Sequence, residues 1–412
     1  MTSDTAYVWV WLPEESEPVV AGRLREEGTT HAFTYGASYL RRDNAVALYL
    51  PELPLQRGVQ RPDPSWEAHG CILDAGPDYW GRRVILAKHF GRLTAQSDTD
   101  DLTLLTYLLE SGSDRIGALD FQESATEYLP RTFEHQASLA ELLTAADRIQ
   151  SGEALSPVLT EAMLRGTSIG GARPKALIED GERKLIAKFS STTDNYPVVQ
   201  AEAIAMDLAA SAGLNVAPTQ MVRVGDRDVL LVERFDRPPG GTRRMMVSAL
   251  TMLHMTPMNG RYATYPDLAD IIRARFEEPD KTLHELFSRI VFNVIAGNTD
   301  DHARNHAAFW DGRSLALTPA YDVCPQPRSF GEANQAMAID RDGDRRSRLQ
   351  VCENAAEIYH LTRGRARETI DRLVAVVESG WDAAADRVGM DGRDRERLRG
   401  GAVLNPSIFY TD

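Results

Sequence analysis

Between Lys175 and Glu233 the sequence changes its period in an order that few architectures accept. Lys175-Ala176-Leu177-Ile178, an Asp180-Gly181 turn and Lys184-Leu185-Ile186-Ala187-Lys188-Phe189 carry a β-hairpin signature. An alanine-rich helix is predicted from Val198 to Ala212, with Gly213 as its natural stop. Two more strands fit Gln220–Val224 and Val229–Glu233. Beyond Arg243 the pattern is mostly helical, above all over Leu283–Ala296, where Phe287, Ile290, Val291, Val294 and Ile295 share a stripe. The predicted class is therefore mixed α/β (α+β), a small sheet leading into a helical half.

The part before Lys175 reads differently. Tyr7–Leu12 is β-branched and aromatic, and Ala45–Leu50 resembles it, so both are predicted as strands of a β-rich first domain. Pro51, Pro54, Pro62 and Pro64 interrupt the pattern. Helices are predicted over Arg82–His89, Asp101–Glu110 and Ala137–Gln150, with a loop at Ser111–Asp114 and a hinge near Glu123–Arg131. The charged run Asp391–Arg399 is expected as a solvated helix or tail.

Composition limits the function classes. A net charge of −14 argues against a surface that grips nucleic acid along its length. Cys71, Cys324 and Cys352 lack metal-ligand spacing and are expected as reduced thiols. Met1–Pro18 has no basic region of the signal-peptide kind, and no apolar run approaches the roughly 20 residues of a membrane span. A soluble cytoplasmic protein with no membrane contact is expected.

The segment Asn298-Thr299-Asp300-Asp301-His302-Ala303-Arg304-Asn305 comes directly after the apolar helix. Asp300 and Asn305 have the D-x-x-x-x-N spacing of a protein-kinase catalytic loop. The chemistry explains the pair: a carboxylate orients the attacking hydroxyl and accepts its proton, while an amide oxygen beside it ligates Mg²⁺. Alone the spacing says little, because Asp and Asn also cap helices. Asp322, closing the strand-like Leu315-Ala316-Leu317-Thr318-Pro319-Ala320-Tyr321, adds to it. A second acid at this point in the order holds the metal that bridges the phosphates, although a turn acid after a strand is the bland alternative. Asp322 and Asn305 suffice as protein ligands, since Mg²⁺ takes one or two carboxylates plus phosphate and water.

Lys188 shares a face of its strand with Ile186, read as the interior one, and a buried ammonium needs a counter-charge. Glu202 in the next helix can supply it, as in the lysine–glutamate pair that fixes ATP phosphates. An edge-strand lysine in solvent is the plain alternative. Gly166-Thr167-Ser168-Ile169-Gly170-Gly171-Ala172-Arg173-Pro174-Lys175 is a glycine-bearing turn whose amides, with Arg173 or Lys175, can face an anion. It matches neither of the usual phosphate-loop patterns, and by itself it is a turn; if it covers ATP, Ser168 lies close to the phosphates. His302 and His306 do not follow a zinc pattern, and Ser211 and Ser248 lack the glycine-flanked elbow of a hydrolase.

In this order the motifs resemble the HipA family of bacterial toxin kinases. The resemblance rests on Thr167–Ala176, Val232-Glu233-Arg234-Phe235-Asp236-Arg237, Asn298–Asn305 and Thr318–Asp322, and in the first part on Asp74–Gly81 and Arg115–Leu119. It covers roughly residues 5 to 375. It implies a protein-kinase-like bilobal fold with a mostly helical C-lobe, preceded by a β-rich N-terminal domain. The expected divisions are 1–125 for the HipA-like N-terminal domain, 135–240 for the N-lobe-like part, 241–385 for the catalytic C-lobe and 386–412 for a charged tail. ATP and Mg²⁺ are the expected cofactors. Ser168, Ile169, Gly170, Gly171, Lys175, Lys188 and Glu202 are expected around the nucleotide, with Glu233, Arg234 and Phe235 as the hinge that receives adenine through its backbone. Asp300 is the expected catalytic residue, and Asn305 and Asp322 the metal ligands. Ser168 matches the serine that the family's kinases phosphorylate in themselves as an off-switch, with Thr167 the competing acceptor. The resemblance also implies a protein substrate such as an aminoacyl-tRNA synthetase, and a helix-turn-helix, HipB-like antitoxin through which alone the chain would meet DNA. Two alternatives stay open, a small-molecule phosphotransferase of aminoglycoside or choline type and a non-catalytic pseudokinase subunit.

Overall fold

The alternation of Ala6, Val8 and Val10, all fully buried, makes Thr5–Val10 (β1) a half-buried strand. In the computed structural model, which describes residues 4–411 apart from 94–96, 132–136, 165, 170, 172, 192–193 and 329–330, β1 lies inside a four-stranded sheet. Its neighbours are Val19–Glu27 (β2), Thr30–Tyr35 (β3) and Leu119–Gln122 (β4), in the order β3-β2-β1-β4 with antiparallel pairing throughout. Gly22 permits the β2–β3 approach, since a Cβ there would fall 2.3 Å from the Thr34 carbonyl oxygen.

The chain divides into two compact units. Unit 1 comprises residues 1–192, 223–247 and 309–313. Here the expectation for Ala45–Leu50 is corrected: it forms no strand. Its backbone is held by side chains instead of a ladder. Tyr39 Oη donates to the Val46 carbonyl (2.7 Å), Trp310 Nε1 to that of Ala47 (2.8 Å), and the Leu48 amide donates to Tyr35 Oη (2.9 Å). Three helices match the predictions with shifted ends. Tyr79–Phe90 is capped by Asp78, Leu104–Glu110 starts only after its Thr103 cap, and Leu139–Ser151 has a Ser138/Glu141 capping box.

The hairpin forms as predicted from Lys175–Asp180 (β5) and Arg183–Phe189 (β6), and further strands are Thr219–Val224 (β7) and Arg227–Glu233 (β8). β6 pairs antiparallel with β5 on one side and β8 on the other. The face reading of β6 is corrected. Leu185, Ala187 and Phe189 are its buried residues, and Lys188 lies on the half-exposed face with Ile186.

Unit 2 comprises residues 193–222, 248–308 and 314–412. The predicted helices are present as Val198–Ser211 and Pro279–Ala296. The first ends next to Gly213 at φ 81°. The second buries its apolar stripe and stops at Gly297, in the left-handed region at φ 69°. The 25-residue helix Arg363–Arg387 packs against both. Asp391 caps the helix Gly392–Leu398, so the charged run is helical as expected. Residues 398–408 are anchored to the core of this unit: Leu398, Ala402 and Ile408 are fully buried, and the Leu404 amide donates to the Ile295 carbonyl (2.8 Å). Among the described residues no helix is long and apolar enough to cross a membrane.

Candidate active site

The stop at Gly297 throws the chain off the buried helix into the segment that carries Asp300. The Asn298 amide donates to the Asn293 carbonyl (2.9 Å), and Asn298 Nδ2 to Asn293 Oδ1 (3.0 Å). From that anchor the chain presents Asp300 to solvent and turns Asp301 inward. Ala303–Asn305 forms a single 3₁₀ turn, and within it the Asn305 amide group donates from Nδ2 to the Asp300 carbonyl (3.2 Å). Asp300 and Asn305 are thus tied to each other by the loop they share.

Asp322 reaches the same neighbourhood by another route. Thr318 is fully buried with its amide on the Ala307 carbonyl (3.0 Å), and the Ala320 amide donates to the Asn215 carbonyl (2.8 Å). Tyr321 Oη then donates to the Arg304 carbonyl (2.7 Å), which fastens the residue before Asp322 to the Asp300–Asn305 loop. Asp322 itself sits at φ 60°, a conformation that is uncommon for a non-glycine residue and a form of local strain found at functional sites.

The electrostatics agree with this convergence. Surrounding protein raises the Asp300 pKa above the ordinary carboxylate value; His302 works against the rise, and the Asp322 and Asp301 carboxylates add to it. Two carboxylates that repel one another, beside an amide oxygen donor, suit a hard divalent cation. Among the described residues no group of three or more acidic, histidine or cysteine side chains forms a metal cage. Asp322 with Asn305 is the donor set available, of the kind Mg²⁺ uses with phosphate oxygens.

Asp301 is the residue that sequence reasoning passed over. Its carboxylate is buried, and one oxygen, Oδ2, accepts from Tyr265 Oη (2.5 Å), Asn293 Nδ2 (2.8 Å) and His306 Nε2 (2.8 Å). Burial alone would push its pKa up, but His306 and the Tyr265 hydroxyl outweigh that and hold it below the ordinary value. A signal was available in Asn293, the polar residue within the apolar run Ile290–Ala296.

Unit 1 carries the other expected residues except Glu202. Lys175 and Lys188 are direct partners in the β5–β6 ladder, so their side chains share a face. Lys175 is buried, 3.8 Å from Asp78, and its Nζ lies 2.1 Å from where a Cβ on Gly171 would fall. Gly171, at φ 116°, is therefore the residue that admits this ammonium. Gly170 lies outside the described residues. Ile169 is buried, and so is Ser168, whose Oγ accepts from Arg115 Nη1 (3.4 Å). The hydroxyl expected near the phosphates is thus turned into the protein. Gly81 admits the backbone just before it, since a Cβ there would sit 1.8 Å from the Thr167 carbonyl oxygen.

Glu233 pairs with Leu185, and the Arg234 amide donates to the Lys184 carbonyl (2.9 Å). Strand alternation turns the backbone groups of Glu233 the other way, and Phe235 lies in a turn beyond the strand end. The Arg234 side chain is buried between Asp114 (2.9 Å) and Asp236 (2.8 Å). Arg237 also meets Asp114 and Asp236, and the Gly117 amide donates to Asp236 (2.8 Å). Phe235 meets Phe309 edge-on, with ring centroids 5.9 Å apart, and the Arg244 guanidinium lies 4.3 Å above the Phe309 ring. Glu202 is buried on the helix Val198–Ser211 of unit 2.

Comparison with known proteins decides the family. Residues 167–381, just over half of the chain, match the family described as HipA-like C-terminal domain. The chain belongs to the HipA family. Residues 10–122 match the HipA N-terminal domain as well. The putative kinase Y4mE of Sinorhizobium fredii is 29% identical over 38% of this chain and 41% of its own length. The serine/threonine-protein kinase toxin HipA of Shewanella oneidensis is 28% identical over 43% of this chain and 47% of its own. The chain thus spans under half the length of these curated relatives. A solved Shewanella oneidensis HipA, in a complex with HipB and operator DNA, has the same fold, with a TM-score of 0.67 at 21% identity over 95% of this chain and 94% of that one.

Proposed function

We propose that this HipA-family chain is an ATP- and Mg²⁺-dependent serine/threonine protein kinase acting as the toxin of a toxin–antitoxin pair. The observation that carries the reading is the convergence of Asp300, Asn305 and Asp322 at the end of one buried helix. In it Asp300 orients the substrate hydroxyl and accepts its proton, which its raised pKa favours. Asn305 and Asp322 hold the metal, which when bound neutralises charge on the transferring phosphoryl group. Lys175, Lys188, the Gly170–Gly171 turn and Glu202 serve the phosphates, and the backbone of Glu233–Phe235 serves adenine. The pairing of Lys175 with Lys188 on the ladder supports this, because it brings two cationic side chains to one face of the sheet.

The substrate in this reading is a component of translation such as an aminoacyl-tRNA synthetase, and the site of action the cytoplasm. The partner is a helix-turn-helix antitoxin of HipB type, through which the chain meets DNA. The HipB and operator DNA bound to the solved Shewanella protein support that choice. Ser168 is the self-phosphorylation site and the off-switch. Because its hydroxyl is buried against Arg115, phosphate can reach it only from a second arrangement of the loop, and Arg115 then favours the charged product on return. Thr167 is the poorer acceptor, its hydroxyl donating to the Leu164 carbonyl (2.8 Å).

The test is incubation of the purified chain with labelled ATP and Mg²⁺, followed by phosphosite mapping. Self-labelling at Ser168 that is lost with a chelator is expected. A folded protein that transfers no phosphate to itself or to any translation protein would overturn the reading.

A further inference from the structure

We infer that Asp301 is a positioning residue for phosphoryl transfer, aiming the neighbouring Asp300 through a buried clamp of Tyr265, Asn293 and His306. The inference rests on the kinase reading and goes beyond it, since that reading uses Asp300, Asn305 and Asp322 and gives Asp301 no part.

The argument begins with what burial demands. A carboxylate out of water is tolerated only where donors satisfy it. Asp301 is 4% exposed, and three donors converge on its Oδ2. They come from separate stretches of unit 2: Tyr265 opens the helix Tyr265–Arg275, Asn293 lies in the last turn of Pro279–Ala296, and His306 comes just after the 3₁₀ turn. An ionised carboxylate only accepts, so His306 carries its proton on Nε2. The Asp301 side chain therefore cannot turn without breaking three contacts at once.

The consequence falls on Asp300. It has no comparable set of donors in the described structure; its main-chain carbonyl accepts from Asn305 Nδ2, and its carboxylate is open to solvent. A solvent-facing side chain is directed by its backbone, and that backbone is clamped on the Asp301 side. His306 extends the clamp, since its carbonyl accepts from the Ala249 amide (2.7 Å). Asp301 cannot be the base itself. It is buried away from solvent with three donors on one oxygen, and those donors hold it in the ionised, weakly basic form.

The experiment measures transfer by the full chain from ATP–Mg²⁺ for wild type, Asp301→Asn, Tyr265→Phe, Asp300→Asn and the Asp300/Asp301 double asparagine variant. Asp301→Asn should lower kcat by about 10- to 100-fold with the KM for ATP within about twofold, the loss expected of a misaimed group. Tyr265→Phe, which removes one donor and no charge, should lower kcat by roughly 3- to 10-fold with KM again unchanged. In the Asp300→Asn background, Asp301→Asn should change the residual rate by less than about threefold, because it acts through a carboxylate already gone. Effects that multiply in the double variant, or a rise in KM that accounts for the loss, would show a general structural role and defeat the inference. If Asp301→Asn does not fold, Tyr265→Phe decides: wild-type kcat in that variant overturns the clamp. Absence of transfer by folded wild type would overturn the kinase reading, and this inference with it. An active wild type with an unaffected Asp301→Asn removes the inference alone.

Discussion

Two buried carboxylates, Asp236 in unit 1 and Asp301 in unit 2, meet the same energetic demand in different ways. Asp236 is ringed by guanidiniums: Arg234 and Arg237 both reach it, and Asp114 shares them. Burial would raise its pKa, and the two arginines more than reverse that. Asp301 has a hydroxyl, an amide and an imidazole in place of arginines. The arginine network ties stretches more than a hundred residues apart, since Asp114 and Gly117 are fastened to Arg234–Arg237. Long-range ties of this kind tolerate strong charge because nothing beside them needs a free carboxylate. Next to Asp301 the situation differs, for an arginine there would sit beside Asp300 and draw down its pKa. Donors other than arginine hold the loop here, which in the proposed reading leaves the field of Asp300 for a metal and a hydroxyl.

The comparison breaks most visibly at Asp236. Asp236→Ala leaves buried Arg234 and Arg237 with Asp114 as the one carboxylate they share, and the expected loss is about 3–5 kcal/mol of unfolding free energy by denaturant titration. A loss below about 1 kcal/mol would mean that Asp114 alone satisfies both guanidiniums, and the contrast would fail.

Asp300→Asn should move activity and stability in opposite directions. Transfer should fall at least ~10²-fold, or about 2.7 kcal/mol of barrier. Stability at neutral pH should rise. The folded state raises the Asp300 pKa, so it binds that proton more tightly than the unfolded chain. The favourable contribution of this group is therefore present below the unfolded pKa and lost as pH rises through the raised one. Asparagine escapes that loss, so the variant should melt above wild type at pH 7 and match it in acid. Melting curves that do not diverge as pH rises would remove burial, with the Asp322 and Asp301 carboxylates, as a source of destabilisation at Asp300.

Asp322→Ala sharpens the metal side. Ligand binding stabilises the folded state in proportion to the logarithm of ligand concentration over Kd. The extra thermal shift that Mg²⁺ adds to ATP should vanish in this variant. An unchanged shift would place the metal elsewhere.

The smallest effect is expected from Ser168→Asp. A carboxylate carries less than the roughly 1.5 to 2 charges of phosphoserine, so activity should fall only in part. Stoichiometric phosphate at Ser168 with full ATP affinity would defeat the switch.

Local pattern was enough to determine much of this protein. The hairpin Lys175–Phe189, the helix Val198–Ser211 with Gly213 at its end, and the buried helix before Asn298 arise from periods and stop signals that act over a few residues. The Asp300–Asn305 spacing was legible for the same reason, because a single 3₁₀ turn sets it. Tertiary structure alone decided the rest. Ala45–Leu50 has strand composition, but Tyr35, Tyr39 and Trp310 satisfy its backbone from elsewhere. The buried face of β6 depended on what packs against the sheet, which alternation cannot tell. Ser168 faces inward where Gly81 makes room for the Thr167 backbone and Arg115 offers a donor, both distant in sequence. Asp301 looks like a second copy of Asp300 in sequence. Only the meeting of Tyr265, Asn293 and His306 separates the two, because burial and hydrogen bonding belong to the neighbourhood and not to the residue.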